Sequence, residues 1–378
     1  MRRVLGAVVP MLVLSPTVAS CATVGAQAWD VEVTVDELPP APFGPREDHG
    51  LAWTGSQLLV WGGHGEGQHD SFSDGAAYSP ETGAWRALAD VDLEPRTRHS
   101  TVVVGDRMLV WGGFTPTHAG DEDAHLARDG ALYDPEADSW EPVADAPEAR
   151  DLARGVVVGE HVVFGGGSAP HGSAADFLVY SLEDDDWSTV ALPFEPEPGF
   201  AVYDLAARGD AVVAVGGSPE GIVTIGFRPG DEAAAVREVP EAAETGGADV
   251  SAGVATAPGG PVLLALRGDE SASVYEIDGL GRAELVDRRD STDFRPPVSH
   301  ATGGLIRGDM HVLDGLGLLA TGPGEFSLWD PEGERSHRAR TGALSDYCGP
   351  LVPVADDALL GWGGRGCGSA GVSVGVDA

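Results

Sequence analysis

Residues 58–63 read Leu58-Leu59-Val60-Trp61-Gly62-Gly63, and residues 109–113 repeat the phrase as Leu109-Val110-Trp111-Gly112-Gly113. A short apolar run ending on a glycine pair recurs at Gly165-Gly166 and Gly216-Gly217, in steps of 50, 53 and 51 residues. A fifth pair, Gly363-Gly364, follows 147 residues later, close to three further steps of 49. A period near fifty marks an array of like units that must stack to bury their apolar faces. After each of the first three pairs come a Tyr and, seven residues on, a Trp: Tyr78 and Trp85, Tyr133 and Trp140, Tyr180 and Trp187.

Residues 46–88 give the anatomy of one unit. Arg46 and His49 open it, Leu51-Ala52-Trp53 follow, and a turn at Thr54-Gly55-Ser56 leads into the apolar run 58–61. Runs this short, apolar and turn-bounded predict buried strands. After the glycine pair a polar loop reaches Ala76-Ala77-Tyr78, a turn at 79–83, then Trp85-Arg86-Ala87-Leu88. Each unit is thus four short antiparallel strands, a to d. Glycine after strand b suits a bend or a close backbone approach. The Tyr/Trp pair, straddling the c–d turn, is expected to pack against the adjoining sheet.

The glycine pairs, the Tyr133-Asp134-Pro135 turn and the spaced Trp resemble the kelch repeat. The resemblance covers roughly residues 28–378. It is specific in units one to three. Unit four keeps Val212 to Val215 and Gly216-Gly217, with Phe227 in place of Tyr and no Trp. Unit five shows only Val262 to Leu266, unit six Leu318-Leu319 and Trp329-Asp330-Pro331, and unit seven Leu359-Leu360-Gly361-Trp362. The last unit lacks a d strand. Trp29-Asp30-Val31-Glu32-Val33 aligns with Trp140 to Val143 and would supply it, as propellers close to limit exposed edges. The expected fold is all-β: a seven-bladed β-propeller of four-stranded antiparallel blades, closed by the N-terminal strand joining the C-terminal blade.

Met1-Arg2-Arg3, an apolar run from Val4 to Val18 and Val18-Ala19-Ser20-Cys21 read as a secretory signal. The run is short and interrupted by Pro10 and Pro16, which argues against a spanning helix. Its end resembles the bacterial lipobox, which implies cleavage before Cys21 and a lipid on its thiol. An ordinary signal peptide cut after Ala26 or Ala28 is the alternative. The expected organisation is a signal over 1–20, a lipidated tether over 21–28 and a propeller over 29–378, held at the cell envelope. Cys348 and Cys367 then form an even pair, read either as a disulfide or as two buried thiols. No second pair exists for a zinc site.

Acidic residues outnumber basic ones 60 to 23, a formal net charge of −37. The chain has neither Lys nor Asn, so every Lys/Arg charge is Arg. That composition points to a GC-rich, actinobacterial source, and it excludes Asn-linked glycosylation. The charge favours a soluble monomer and disfavours nucleic acid as a partner.

In a four-stranded meander the d–a and b–c connections emerge on one face. Long b–c loops there carry His64, His69 and Asp70; His118, Asp121, Glu122, Asp123 and His125; and His171. Imidazole and carboxylate together can hold a divalent ion, yet no pair sits at a fixed ligand spacing, and solvated loops are the other reading. No cofactor is expected beyond that metal. A second constellation lies at the start of strand a: Arg46 and His49, Arg98 and His99, Arg150 and Arg154, Arg295 and His300. Guanidinium groups round a channel mouth could grip a carboxylate or sulfate, or could pair with carboxylates of neighbouring blades. No Gly-x-Ser-x-Gly, Walker or His-Glu-x-x-His signature occurs. The Cys and Tyr of kelch-type galactose oxidase have no match. The resemblance extends to sialic-acid mutarotases, which share the repeat. The leading expectation is a non-catalytic module binding a protein or glycan on the loop-rich face, with the membrane met through the lipid alone. The alternative is an enzyme acting on an acidic sugar at the Arg/His ring.

Overall fold

The computed structural model describes residues 27–28, 31–65, 70–116, 125–218, 221–239, 251–256, 260–267, 271–279, 281–290, 310–313, 317–322, 325–330, 335–339, 350–355, 357–363 and 371–377. The chain enters through β1 (Gln27–Ala28) and β2 (Glu32–Glu37). Blade one is β3 (Gly50–Trp53), β4 (Leu58–Trp61), β5 (Gly75–Ser79) and β6 (Ala84–Ala87). Blade two is β7 (Ser100–Val104), β8 (Arg107–Trp111), β11 (Gly130–Asp134) and β12 (Ser139–Val143), with a small hairpin of β9 (Phe114–Thr115) and β10 (His125–Leu126) in its b–c connection. Blade three is β13 (Arg154–Val158), β14 (His161–Gly165), β17 (Phe177–Ser181) and β18 (Asp186–Val190), with a hairpin of β15 (Ser168–Ala169) and β16 (Gly172–Ser173).

Blade four is β19 (Ala201–Arg208), β20 (Ala211–Ser218), β21 (Gly221–Phe227) and β22 (Ala235–Glu238). Blade five is β23 (Ser251–Thr256), β24 (Val262–Arg267), β25 (Ser271–Ile277) and β26 (Ala283–Asp290). Next come β27 (Met310–Leu313), β28 (Gly317–Gly322), β29 (Glu325–Asp330) and β30 (Arg335–Ala339). The closing blade is β31 (Leu351–Ala355), β32 (Ala358–Trp362) and β33 (Gly371–Asp377). Its fourth strand is β2, antiparallel to β33 from Glu32↔Asp377 to Glu37↔Val372.

The architecture is an all-β propeller, but the expected count is corrected. Among the described residues there are six four-stranded antiparallel blades, not seven. The sheet of β27–β30 has five strands and is mixed, because β1 adds to β30 in parallel, Gln27 opposite Arg335 and Ala28 opposite Ser336. An outer strand offers unpaired backbone groups, and the segment ahead of β2 takes up two registers of that edge. Those two residues fall within the tether that the sequence predicts over 21–28. The register of the N-terminal strand also shifts. Val35 faces Val374, in the position of the pairs Tyr78↔Trp85, Tyr133↔Trp140 and Tyr180↔Trp187. Trp29, aligned with Trp140 on sequence, lies outside the described residues.

Second strands are apolar at their centres because each blade is covered on both faces, and Leu58–Trp61 are all buried. Outer strands are mostly exposed: only Trp85 in β6, and only Trp140 and Val143 in β12, are half-buried. Between blades, the strand-b Trp of one unit meets the strand-d Trp of the next: Trp362 and Trp85 at 6.5 Å, Trp61 and Trp140 at 5.8 Å, Trp111 and Trp187 at 5.2 Å between centroids. Each strand-d indole also donates to a carbonyl just beyond the previous unit's d strand, Trp85 to Pro39, Trp140 to Ala89 and Trp187 to Ala144.

Candidate functional site

The site is built at the d–a corners, where each chain segment turns from the rim to the axis. Residues 46–49, 96–99 and 150–153 occupy equivalent places. Arg46 donates to the carbonyls of Gly62 and Asp74 and pairs with the Asp74 carboxylate at 3.0 Å. Arg96 donates to Gly112 O and holds Asp129 through two nitrogens at 2.8 and 3.0 Å. Arg150 binds Asp176 and Glu148. All three are buried, at 2 %, 0 % and 0 % exposure. Arg46 is also sandwiched between the rings of Phe43 and Phe72 at 4.0 and 4.4 Å. Burial pushes the Arg46 guanidinium down and the Asp74 contact offsets part of that. Burial would raise the Asp129 carboxyl, but Arg96 outweighs it and holds it below the usual range.

These arginines join each b–c loop to its own corner. The counterpart of Arg46 is Arg96, not Arg98. The third glycine pair is Gly166-Gly167: Gly62, Gly63, Gly112, Gly113, Gly166 and Gly167 all have positive φ between 68° and 103°, whereas Gly216 and Gly217 continue β20. A side chain is excluded there. A Cβ on Gly112 would lie 2.5 Å from the Arg150 carbonyl, and one on Gly62 would lie 2.7 Å from the His99 ring. The signal for Arg96 was available, since 46, 96 and 150 step by 50 and 54 residues, as do Gly62, Gly112 and Gly166.

Two residues further along each corner stand Asp48, Arg98 and Leu152, at φ 54°, 57° and 58°. Such left-handed non-glycine residues are uncommon. They are held by a relay of backbone hydrogen bonds, Arg98 N–H to Asp48 O and Leu152 N–H to Arg98 O. The relay sets three side chains of unlike chemistry side by side. Arg98 pairs with Asp151 at 2.9 Å, its side chain 28 % exposed, and lies over the Phe114 ring at 4.8 Å. Burial raises the Asp151 carboxyl, with Arg98 opposing. His64 faces Asp48 at 3.7 Å through Nε2, while its Nδ1 donates to Gly65 O at 2.7 Å. The Asp48 interaction raises its pKa, against the opposing effect of burial.

The other predicted site residues scatter. His49 and His99 are buried, and His49 donates from Nε2 to the Trp362 carbonyl, joining blade one to the closing blade. Arg154 starts β13, half-buried opposite Gly165. His125 is exposed and pairs with Glu94 at 3.3 Å, and His171 and Asp70 are exposed. Arg295, His300, His69, His118, Asp121, Glu122, Asp123, Cys21, Cys348 and Cys367 lie outside the described residues. Among the described residues no three His, Cys, Asp or Glu converge as a metal set would. The arginine ring is therefore not a single open cluster: Arg46 and Arg150 are enclosed in their blades, and Arg98 is the member that reaches solvent beside an aromatic ring.

Residues 19–217 match the family model described as the KLHDC2/KLHL20/DRC7 Kelch-repeats domain, 199 of the 378 residues. No curated protein matches the chain.

Proposed function

The chain belongs to the family of the KLHDC2/KLHL20/DRC7 Kelch-repeats domain, and on that premise we propose that it is a non-catalytic module that binds a protein through the corner face of blades one to three. What supports this reading is the division of labour among the arginines. Arg46, Arg96 and Arg150 are spent on internal carbonyls and carboxylates. Arg98 remains, part-exposed over Phe114 and flanked by the β9–β10 and β15–β16 hairpins. A half-buried Arg stacked on an aromatic ring is the composition of an interface hot spot. The acidic-sugar enzyme reading required Arg46, Arg98 and Arg150 to converge on one open channel, so the burial of two of them weighs against it. Glycan recognition on the same face is the narrower variant of the binding reading.

The proposed address is extracytoplasmic. Cys21 carries the lipid, residues 1–20 are removed, and the propeller follows. In the presence of more than one acyl chain such an anchor is stable.

Screening the full-length protein and its Arg98→Ala variant against a protein library and a glycan array tests the proposal. Protein hits that weaken by roughly ten-fold or more in the variant are expected. Accelerated anomer interconversion of an acidic sugar by the wild type, abolished by Arg98→Ala, would replace the binding module with an enzyme.

A further inference from the structure

We infer that Arg98 reads an uncharged carbonyl of the partner protein, a peptide or carboxamide C=O, and that Asp151 is the residue that turns it away from carboxylates. The inference rests on the binding-module reading above and names the chemistry that its central side chain takes.

The repeats themselves show how this fold satisfies a corner guanidinium. Arg46 takes the Asp74 carboxylate and the carbonyls of Gly62 and Asp74. Arg96 takes the Asp129 carboxylate and the carbonyls of Glu94 and Gly112. Arg150 takes the carboxylates of Asp176 and Glu148 and the Asp176 carbonyl. In each case a carboxylate balances the charge and backbone oxygens accept from further N–H groups. Arg98 has the first half of that set and lacks the second. Asp151 pairs with its Nη2 at 2.9 Å, and the Phe114 ring lies 4.8 Å from the guanidinium carbon. Among the described residues no carbonyl accepts from the other N–H groups of Arg98, whose side chain reaches solvent.

The local charge decides which acceptor completes the set. Asp151 is buried and already holds Arg98. Asp48, on the adjacent corner, is near enough to oppose the ionisation of Asp151. His64 faces Asp48 and offsets it only when protonated. One guanidinium thus stands among two carboxylates. A carboxylate from a partner would be the third, and like charges set together at an interface cost affinity. Groups buried to this degree are little screened by salt. A carbonyl accepts the same N–H groups with no charge to repel.

The test offers the full-length protein a randomised peptide library capped by acetyl and amide groups, so that every carboxylate in it is a side chain. Peptides retained by the wild type should carry Asn and Gln in preference to Asp and Glu. Asp151→Asn should raise the ratio of acidic to amide residues among retained peptides roughly ten-fold. Asp186→Asn makes the same change of charge at an exposed position on the outer strand of blade three, and should leave the ratio within about two-fold of wild type. A ratio that moves no further in Asp151→Asn than in Asp186→Asn overturns the inference. So does a wild type that prefers acidic peptides to their amide counterparts, a result that does not depend on whether Asp151→Asn folds. In both of those cases, binding that is lost in Arg98→Ala leaves the module reading standing. A wild type that retains neither peptide nor protein removes the module reading, and this inference with it.

Discussion

Blades one to three and blades four and five reach one geometry by different chemistry. The first three use short strands of four or five residues and polar fasteners: a buried Arg per corner, a left-handed corner residue and Trp indoles bonded across the gap. Blades four and five use longer strands, up to eight residues, and an aliphatic interface of Val213, Val215, Val254, Leu264 and Ile277. Polar ties among their described residues run from Arg208 to the Ile277 carbonyl, from Thr224 to that of Gly281 and from the Val254 amide to Asp204. Directional fasteners fix residues at the corner face and so can present a site. Aliphatic packing holds sheets together without fixing any one side chain. The candidate site lies on the fastened half.

The largest difference between the halves is expected at the aromatic seam. Trp111→Ala removes a fully buried indole stacked on Phe164 and Trp187, and should cost about 3–5 kcal/mol in denaturant unfolding. Ile225→Val, in blade four, should cost about 0.5–1.5 kcal/mol by the same measurement. A Trp111→Ala loss no larger than that of Ile225→Val would show that the indole seam is not what holds the first three blades together. Next is Arg150→Ala, which leaves Asp176 and Glu148 without their cation. Both carboxylates are about a third exposed, so solvent reduces the loss expected of a buried pair to about 2–4 kcal/mol. The fully exposed pair of Arg228 and Asp210 in blade four should show no measurable change on Arg228→Ala.

A smaller effect attends the strand-c tyrosines. Tyr133 O–H donates to Asp138, which also accepts from Arg86 and the Ala89 amide. Tyr133→Phe should cost about 1–2 kcal/mol, whereas Phe227, in the equivalent place of blade four, has no hydroxyl to lose. Burial, then Asp138, pushes the Tyr133 hydroxyl up to about 12. Its contribution is full below the unfolded value near 10 and is lost as pH rises through the folded one. Ultraviolet titration of wild type against Tyr133→Phe should reveal one phenol ionising in that window. The smallest effect is at His64. Its raised pKa means that its contribution is complete below the ordinary value of about 6.5 and disappears as pH climbs through the folded pKa. NMR should place the imidazole above 6.5 and lower it in Asp48→Asn. An unmoved His64 would show that Asp48 is not what holds it charged.

Strands b were legible in the sequence because burial on both faces leaves a continuous apolar run at Leu58–Trp61 and Leu109–Trp111. The Tyr/Trp spacing was legible because those residues are cross-strand partners over a short turn. What failed, failed for physical reasons. Val35 does the work of a Trp in strand d of the closing blade without an indole to mark it, so Trp29 drew the alignment. Arg98 and Arg96 are two residues apart and chemically alike, so residue type could not choose between them, and only the spacing to Arg46 and Arg150 marks Arg96. Asp48, Arg98 and Leu152 share a left-handed backbone imposed by the inter-blade relay, and three unlike side chains give no local signature of it. Gln27–Ala28 joins a sheet through main-chain bonds, to which side-chain patterning is blind.

The closing blade is made from both ends of the chain, and His49 reaches across 313 positions of sequence to the Trp362 carbonyl. Joining such distant segments is entropically mild, because loop cost grows only with the logarithm of length, but it is slow. The ring's seam is therefore a late event, open until residues 371–377 have arrived. A chain emerging N-terminus first holds β2 as an orphan edge for nearly its whole synthesis, and any truncation before β33 leaves it so permanently.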